Sequence, residues 1–380
     1  MVKVKLNTVA LQTALSHVRR AIPGRPTNPV LMCVKFDCAA GVRLLATDCN
    51  YSIEYTMPTA QVLSPGAILI DAERLSTLAA ATAAEELIVD AESDGITIST
   101  CGPSVDRFRF GWQDPLGFPD PKNDDYRPAC EIDIDLFRWA VKTTAAYAAV
   151  ADSRYALASV QIEIDDKFLR AVATNGKALC VVRQPVVSGP KNPQKLLIEG
   201  SITRKLAPLE GTNLTIESSE NRVRITCGNA VIDAPQVVGR YPDYNQVLEN
   251  AIGTETVRVN CADLLKKIRE ADLFRSDVYR HKFFFSPGRL EISIDAETSG
   301  CNVSLPVQCD FERKLILDIG LIAPFLKSCG EDEVTIKFKD IGAGTVRMVF
   351  LVNDGESLMC MQNMTREERE EREEKEAKGA

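Results

Sequence analysis

The sequence predicts an α+β protein made of three tandem copies of one domain, each with two helices on one side of antiparallel sheets. Three observations predict it: a repeated tripeptide, a repeated strand–helix block and a repeated hairpin block. Thr100-Cys101-Gly102 in GITISTCGPSVDRFRF reappears as Thr226-Cys227-Gly228 in RVRITCGNAVIDAP, and aligning the two brings their surroundings into register. The match extends to a third copy that lacks the tripeptide.

Each copy opens with a short alternating strand and an amphipathic helix, in VKLNTVALQTALSHV, IDIDLFRWAVKTTAAYA and VRVNCADLLKKIREADLF. Asn7, Asp135 and Asn260 fall where a short polar side chain accepts a bond from a free helix N–H, which spaces the caps 128 and 125 residues apart. A hairpin follows in VRLLATDCNYSIEY, LRAVATNGKALCVV and LEISIDAETSGCNVSL. Next comes a β-branched strand, an acid and a helix, in ILIDAERLSTLAAAT, LLIEGSITRKLAPLEG and LILDIGLIAPFLKSCGED. EELIVDAESDGITIST, TNLTIESSENRVRITC and DEVTIKFKDIGAGTVRMVFL close each copy as a second hairpin around a polar or glycine turn. Helices are thus predicted at 8–20, 72–83, 136–149, 201–210, 263–276 and 320–328. The domains run over 1–122, 129–249 and 255–364, with polar Pro- or Gly-containing linkers in FPDPKNDDYRPAC and LENAIGTE. Residues 365–380, TREEREEREEKEAKGA, have no apolar face and read as a disordered tail or a solvated helix.

The chain has 380 residues, 45% hydrophobic and 26% charged, which suits two or three globular domains. No apolar run approaches the roughly 20 residues of a membrane span, so a cytoplasmic protein is expected. The 12 cysteines are scattered without a C-x-x-C, and Cys33 and Cys180 lie in apolar runs that suit core thiols. The 2 histidines, His17 and His281, lie near basic residues and read as surface groups. No Gly-rich phosphate loop or metal-ligand spacing is present. An enzyme built on one of the cysteines is therefore disfavoured, and no catalytic residue, metal or cofactor is expected.

Three such domains could form a tandem binding array, a repeat scaffold or an arc of a ring. The six predicted helices sum to +7 while the chain is −8, so helices gathered on one side would make a basic face against an acidic remainder. Such a face suits the regular phosphate backbone of duplex DNA, read without sequence preference. Ordinary solvated helix residues would give the same count.

PGRPTNPVL (23–31), RYALASVQIEI (154–164), LRAVATNGKALCVVRQP (169–185) and VVGRYPDYNQVL (237–248) resemble landmarks of the bacterial sliding clamp, the DNA polymerase III beta subunit. The likeness runs in order from residue 1 to about 364. It implies three DNA-clamp domains forming half of a head-to-tail homodimeric ring, with helices lining a hole that encircles double-stranded DNA. It implies a processivity factor, without catalysis of its own, that is cytoplasmic and nucleoid-associated during replication. The implied partners are the DNA polymerase III alpha subunit, the clamp loader and repair polymerases or ligase, bound through short linear motifs.

The resemblance also implies a client-motif pocket. The matching positions are Leu157, Thr174, Gly176, Lys177, Ala178, Leu179, Pro242, Gln246 and Val247, completed by Met361, Gln362 and Asn363 on the final strand. Lys177-Ala178 stands where the family has His-Arg, and Gln362 and Asn363 replace an apolar Pro and Met. For DNA the matching residues are Arg25, Arg154 and Tyr155, with Ala156 in place of a second aromatic. Glu73 and Ser201 occupy family basic positions, and Arg74, Arg204 and Lys205 are the nearby candidates to replace them. The altered final strand and the charged tail leave one alternative, a divergent clamp paralogue acting as a scaffold or regulatory binder.

Overall fold

A computed structural model of the chain describes residues 2–26, 28–92, 95–121, 124–150, 156–204, 206, 209–249, 252–274, 281–295, 299–329, 333–342, 345–352 and 357–364. The first repeat comprises β1 (Val2–Asn7), α1 (Thr8–Val18), β2 (Cys33–Asp37), β3 (Val42–Thr47), β4 (Ser52–Met57), β5 (Gln61–Ser64), β6 (Ala67–Asp71), α2 (Ala72–Ala81), β7 (Glu86–Glu92), β8 (Gly95–Thr100) and β9 (Arg107–Phe110). The second comprises β10 (Arg127–Asp133), α3 (Ile134–Ala145), β11 (Ser159–Ile164), β12 (Phe168–Thr174), β13 (Ala178–Pro185), β14 (Gln194–Glu199), β15 (Asn213–Ser218), β16 (Arg222–Cys227) and β17 (Ala230–Pro235), then α4 (Asn245–Glu249). The third comprises β18 (Glu255–Asn260), α5 (Cys261–Asp272), β19 (His281–Ser286), β20 (Arg289–Asp295), β21 (Gly300–Pro306), β22 (Arg313–Leu317), α6 (Ile319–Cys329), β23 (Glu333–Asp340), β24 (Thr345–Val352) and β25 (Ser357–Met364). The α+β class and the internal triplication are borne out.

The first helix of each repeat starts on a capped strand end. Asn7 Oδ1 accepts from the Ala10 N–H at 3.0 Å, and Asn260 Oδ1 from the Asp263 N–H at 3.1 Å. In the second repeat the cap is Asp133, not Asp135: its Oδ1 accepts from the N–H groups of Asp135 at 2.9 Å and Leu136 at 3.0 Å. Asp135 instead adds an acid to the first turn, where the helix dipole favours it. The caps therefore lie 126 and 127 residues apart, a closer repeat than the sequence alignment implied. Among the described residues of the helix expected at 201–210, only a 3-10 turn over Gly200–Arg204 is present. Glycine opens it and two β-branched residues follow, all poor helix formers.

Thr-Cys-Gly sits at the same turn in two repeats but one residue out of phase. Thr100 is buried opposite Leu87 at the end of β8, whereas Thr226 is half-buried opposite Thr215, one residue short of the end of β16. The tripeptide marks the right turn, and side-chain alternation sets the true register.

The described residues form two compact units, Met1–Arg138 with Ile164–Lys167 and Val186–Val237, and Trp139–Glu163 with Phe168–Pro185 and Val238–Ala380. In the first unit one sheet has the order β5-β1-β7-β8-β9 and another β10-β15-β16-β17-β4-β3-β2-β6. In the second unit one sheet runs β11-β12-β13-β25-β24-β23-β18 and another β21-β20-β19-β22. Each large sheet thus joins the closing hairpin of one repeat to the opening hairpin of the preceding repeat. The two joints share a register: Ile232 faces Ile53 as Met359 faces Cys180, and Asp233 faces Ser52 as Cys360 faces Leu179.

Both histidines are buried at 3% exposure, against the surface reading. His17 lies on α1 with its ring 4.9 Å from that of Tyr55, and His281 Nε2 is 3.2 Å from the Ala271 carbonyl. Neighbouring arginines in sequence do not place a helix residue at the surface; the 3.6-residue period does.

Candidate functional site

The second compact unit contains a cavity of about 320 Å³. One wall is the β12–β13 turn, contributing Thr174, Gly176, Lys177, Ala178 and Leu179. This turn is held by its own side chains. Thr174 Oγ1 donates to the Ala178 carbonyl at 2.8 Å, and Asn175 Oδ1 accepts from the N–H groups of Lys177 and Ala178 at 3.0 and 2.9 Å. Gly176 takes φ +81°, where a side chain is disfavoured. Strand β25 brings Met361 opposite Ala178, so the third repeat supplies an apolar lining residue beside Leu179.

The opposite wall is the segment entering α4, with Pro242, Asp243, Tyr244 and Val247, and Leu157 completes the lining. Beneath it Val172, Leu179, Val181, Tyr244 and Val349 form a buried cluster, with Tyr241, Val247 and Leu248 packed on it. Tyr241 donates to the Val172 carbonyl at 3.3 Å, and Arg347 Nη1 donates to the Val247 carbonyl at 3.1 Å. The result is an apolar slot with Lys177 and Asp243 exposed at its rim. Such a slot suits a few apolar side chains of a short segment, with a polar group at each end.

Nine of the sequence-derived pocket residues line this one cavity. Gln246 does not; it is exposed on α4, with Nε2 3.5 Å from Asp243 Oδ2. The one-turn helix directs Val247 inward and Gln246 outward. Backbone pairing sets Gln362 and Asn363 opposite Arg347 and Val346, but their side chains lie outside the described residues. Sequence reasoning missed Asp243 and Tyr244. The apolar–aromatic pattern of GRYPDYNQVL was the signal for Tyr244, since an aromatic beside a proline wall packs inward.

Among the DNA candidates, Arg25 and Arg74 are exposed, the latter in the first turn of α2. Arg154, Tyr155 and Lys205, and the side chain of Arg204, lie outside the described residues. Further exposed basic groups of the helical segments are Arg19 in the first unit and Lys142, Lys266, Arg269 and Lys327 in the second.

Burial pushes the Cys33 and Cys38 thiols up to about 11 and that of Cys130 up to about 12, as core thiols behave. Among the described residues no group of three or more His, Cys, Asp or Glu could hold a metal ion, and no helix is long and apolar enough to cross a membrane.

Three α+β repeats whose sheets run from one repeat into the next, beside an apolar slot at such a joint, make an architecture that solved sliding clamps share. Residues 2–120 match the family described as the DNA polymerase III beta subunit, N-terminal domain. The chain is 25% identical over 356 residues to a beta sliding clamp of Pseudomonas putida, covering 85% of this chain and 95% of the relative. It is 24% identical over 287 residues to the Escherichia coli beta sliding clamp, covering 73% and 76%. Among solved structures, a Bacillus subtilis DNA polymerase sliding clamp superposes with a TM-score of 0.86 at 19% identity, covering 96% and 99%. A Pseudomonas aeruginosa sliding clamp bound to griselimycin gives 0.85 at 19%, also covering 96% and 99%. The resemblance read from the sequence is borne out: residues 2–120 match the N-terminal domain of the DNA polymerase III beta subunit, and the chain shares the fold of solved sliding clamps.

Proposed function

We propose that two copies of the chain close head to tail into a ring around duplex DNA, and that the cavity holds short linear motifs of polymerase, clamp loader and repair clients. The ring would be a non-catalytic tether that raises the effective concentration of its clients at the template.

One observation carries the proposal. Both large sheets join a four-strand closing half to an opening half with the same register, and among the described strands one half of each kind remains without a partner. The closing half β1-β7-β8 ends at β9, and the opening half β22-β19-β20 ends at β21. Open strand edges invite pairing with another chain. Joining β9 of one copy to β21 of another repeats the internal joint, and the internal register carries over to place Phe108 opposite Cys301. Apolar groups stand ready at both edges: Phe108, Trp112 and Leu116 on or just after β9, and Leu273 and Phe274 at the end of α5, which packs on β21. Leu273 is 82% exposed, unusual for a leucine without a partner. Sequence reasoning missed these residues, because an open edge is visible only once every other strand is paired.

Exposed Arg25, Arg74 and the basic helix residues support backbone-only DNA contact, which a steep salt dependence would register. The closure test is Phe108→Cys under mild oxidation. Cross-linked dimers that vanish when Cys301 is also changed to Ser support the register. A native mass near the single chain's 41.8 kDa at micromolar concentration, with no cross-link, counts against the ring.

A further inference from the structure

Tyr244 belongs both to the cavity lining and to the cluster beneath it, and its hydroxyl reaches Glu163, which is not among the lining residues. The phenol donates to Glu163 Oε2 at 2.8 Å. The same oxygen accepts from Arg170 Nη1 at 3.0 Å, and Glu163 Oε1 accepts from Gln161 Nε2 at 2.9 Å. Gln161 and Glu163 lie on β11 and Arg170 on β12, so the sheet itself presents the acceptor. Tyr244 is only 4% exposed and Gln161 7%. A carboxylate accepting several charge-assisted bonds is a rigid anchor.

The anchored residue is the one that organises the wall. The Tyr244 carbonyl accepts from the N–H groups of Val247 at 3.0 Å and Leu248 at 3.2 Å, which makes the single turn of α4. A five-residue helix has no stability of its own, so its position depends on such tethers. Pro242 and Val247, which line the cavity, flank the anchored residue on either side.

We infer that the Glu163–Arg170 pair is a positioning device for client binding, holding the α4 wall through the Tyr244 hydroxyl. The inference rests on the reading of the cavity as a client-motif site. Pre-organised walls lower the ordering cost that a bound peptide would otherwise meet.

The test uses the full chain, amide hydrogen exchange and a fluorescent Gln-Leu-x-Leu-Phe peptide, the client motif that the resemblance to sliding clamps implies. Tyr244→Phe keeps the ring and removes the anchor. It is expected to weaken the peptide about 10-fold and to speed exchange at Val247 and Leu248, with the β19–β20 hairpin unchanged. Glu163→Gln keeps an acceptor for the phenol and should fall between wild type and Tyr244→Phe. Unchanged affinity in Tyr244→Phe, beside a wild type that binds, overturns the positioning role alone. Faster exchange across β19 and β20 as well would mean a merely structural role and also overturns it. A wild type that binds no peptide sinks the client-site reading itself, and the positioning role with it.

Discussion

The joint between β4 and β17 in one compact unit and the joint between β13 and β25 in the other have the same backbone and opposite chemistry. At the first, Ser52 faces Asp233; at the second, Leu179 faces Cys360, with Met361 next along the strand. Asp233 is 3% exposed and is held by Arg222 and the Tyr126 hydroxyl, with Arg224 Nε and Nη2 each at 3.3 Å. The Arg224 guanidinium stacks 3.8 Å from the Tyr126 ring, and Arg222 Nη2 donates to the Asn50 carbonyl at 3.0 Å. Burial and donation to Asp233 push the Tyr126 phenol up to about 12. Asn50 holds the turn position that Lys177 holds in the other unit, so one turn is bolted down by an arginine while the other borders an open slot. Linkers follow the same logic: Phe118 packs on Leu45 as Tyr241 packs on the equivalent Val172. Repeated backbone thus carries either a lock or an open apolar slot, and a few side chains choose between them.

The largest effect that would break this comparison is at the lock. Asp233→Asn strands two guanidinium groups in a buried place and should cost about 3 kcal/mol, read as a lowered denaturant midpoint. Peptide binding at the other joint should be untouched. A loss below about 1 kcal/mol would mean that backbone pairing alone holds the joint. Next in size is Leu179→Lys, which puts a charge in the slot and should weaken the client peptide at least about 100-fold, near 2.7 kcal/mol, while cross-linking through Phe108→Cys persists. Equal loss of both would show that the slot and the proposed β9–β21 joint are one cooperative structure.

The smallest effect concerns His17, whose ring lies against Tyr55 on the locked joint. Burial holds its pKa below the ordinary imidazole value, ahead of an opposing pull from Glu210. The folded state therefore takes up its proton later than the unfolded chain does. Its contribution is fully present above the unfolded imidazole value, about pH 6.5, and is lost as pH falls from there through the lower folded-state value. The thermal midpoint should drop between pH 7.5 and 5.5, and His17→Gln should flatten that drop. An equal slope in the variant would assign the acid sensitivity elsewhere.

Local chemistry was readable wherever neighbours in sequence are neighbours in space. Asn7 and Asn260 cap their helices as expected, and the Thr174–Ala178 turn follows from Asn175 and Gly176. Asp133 displaced Asp135 because two acids two residues apart compete for one cap, and the strand's last paired residue decides. The short turn at Gly200–Arg204 shows amphipathic spacing overruled by Gly200 and the β-branched Ile202 and Thr203.

By itself the sequence determined the three repeats, the opening strand–helix unit of each and most residues of the slot, because period, cap and turn chemistry are properties of contiguous chain. Only the tertiary structure decided that sheets join successive repeats, that Met361 completes a slot built mainly by the second repeat, and that β9 and β21 end their sheets among the described strands. It also buried His17 and His281 and set Tyr244 on Glu163, 81 residues away. The physical reason is the same in each case. Strand pairing satisfies backbone groups whatever the side chains are, so which strands meet, and which edges stay bare, depends on the whole set of partners rather than on any one stretch.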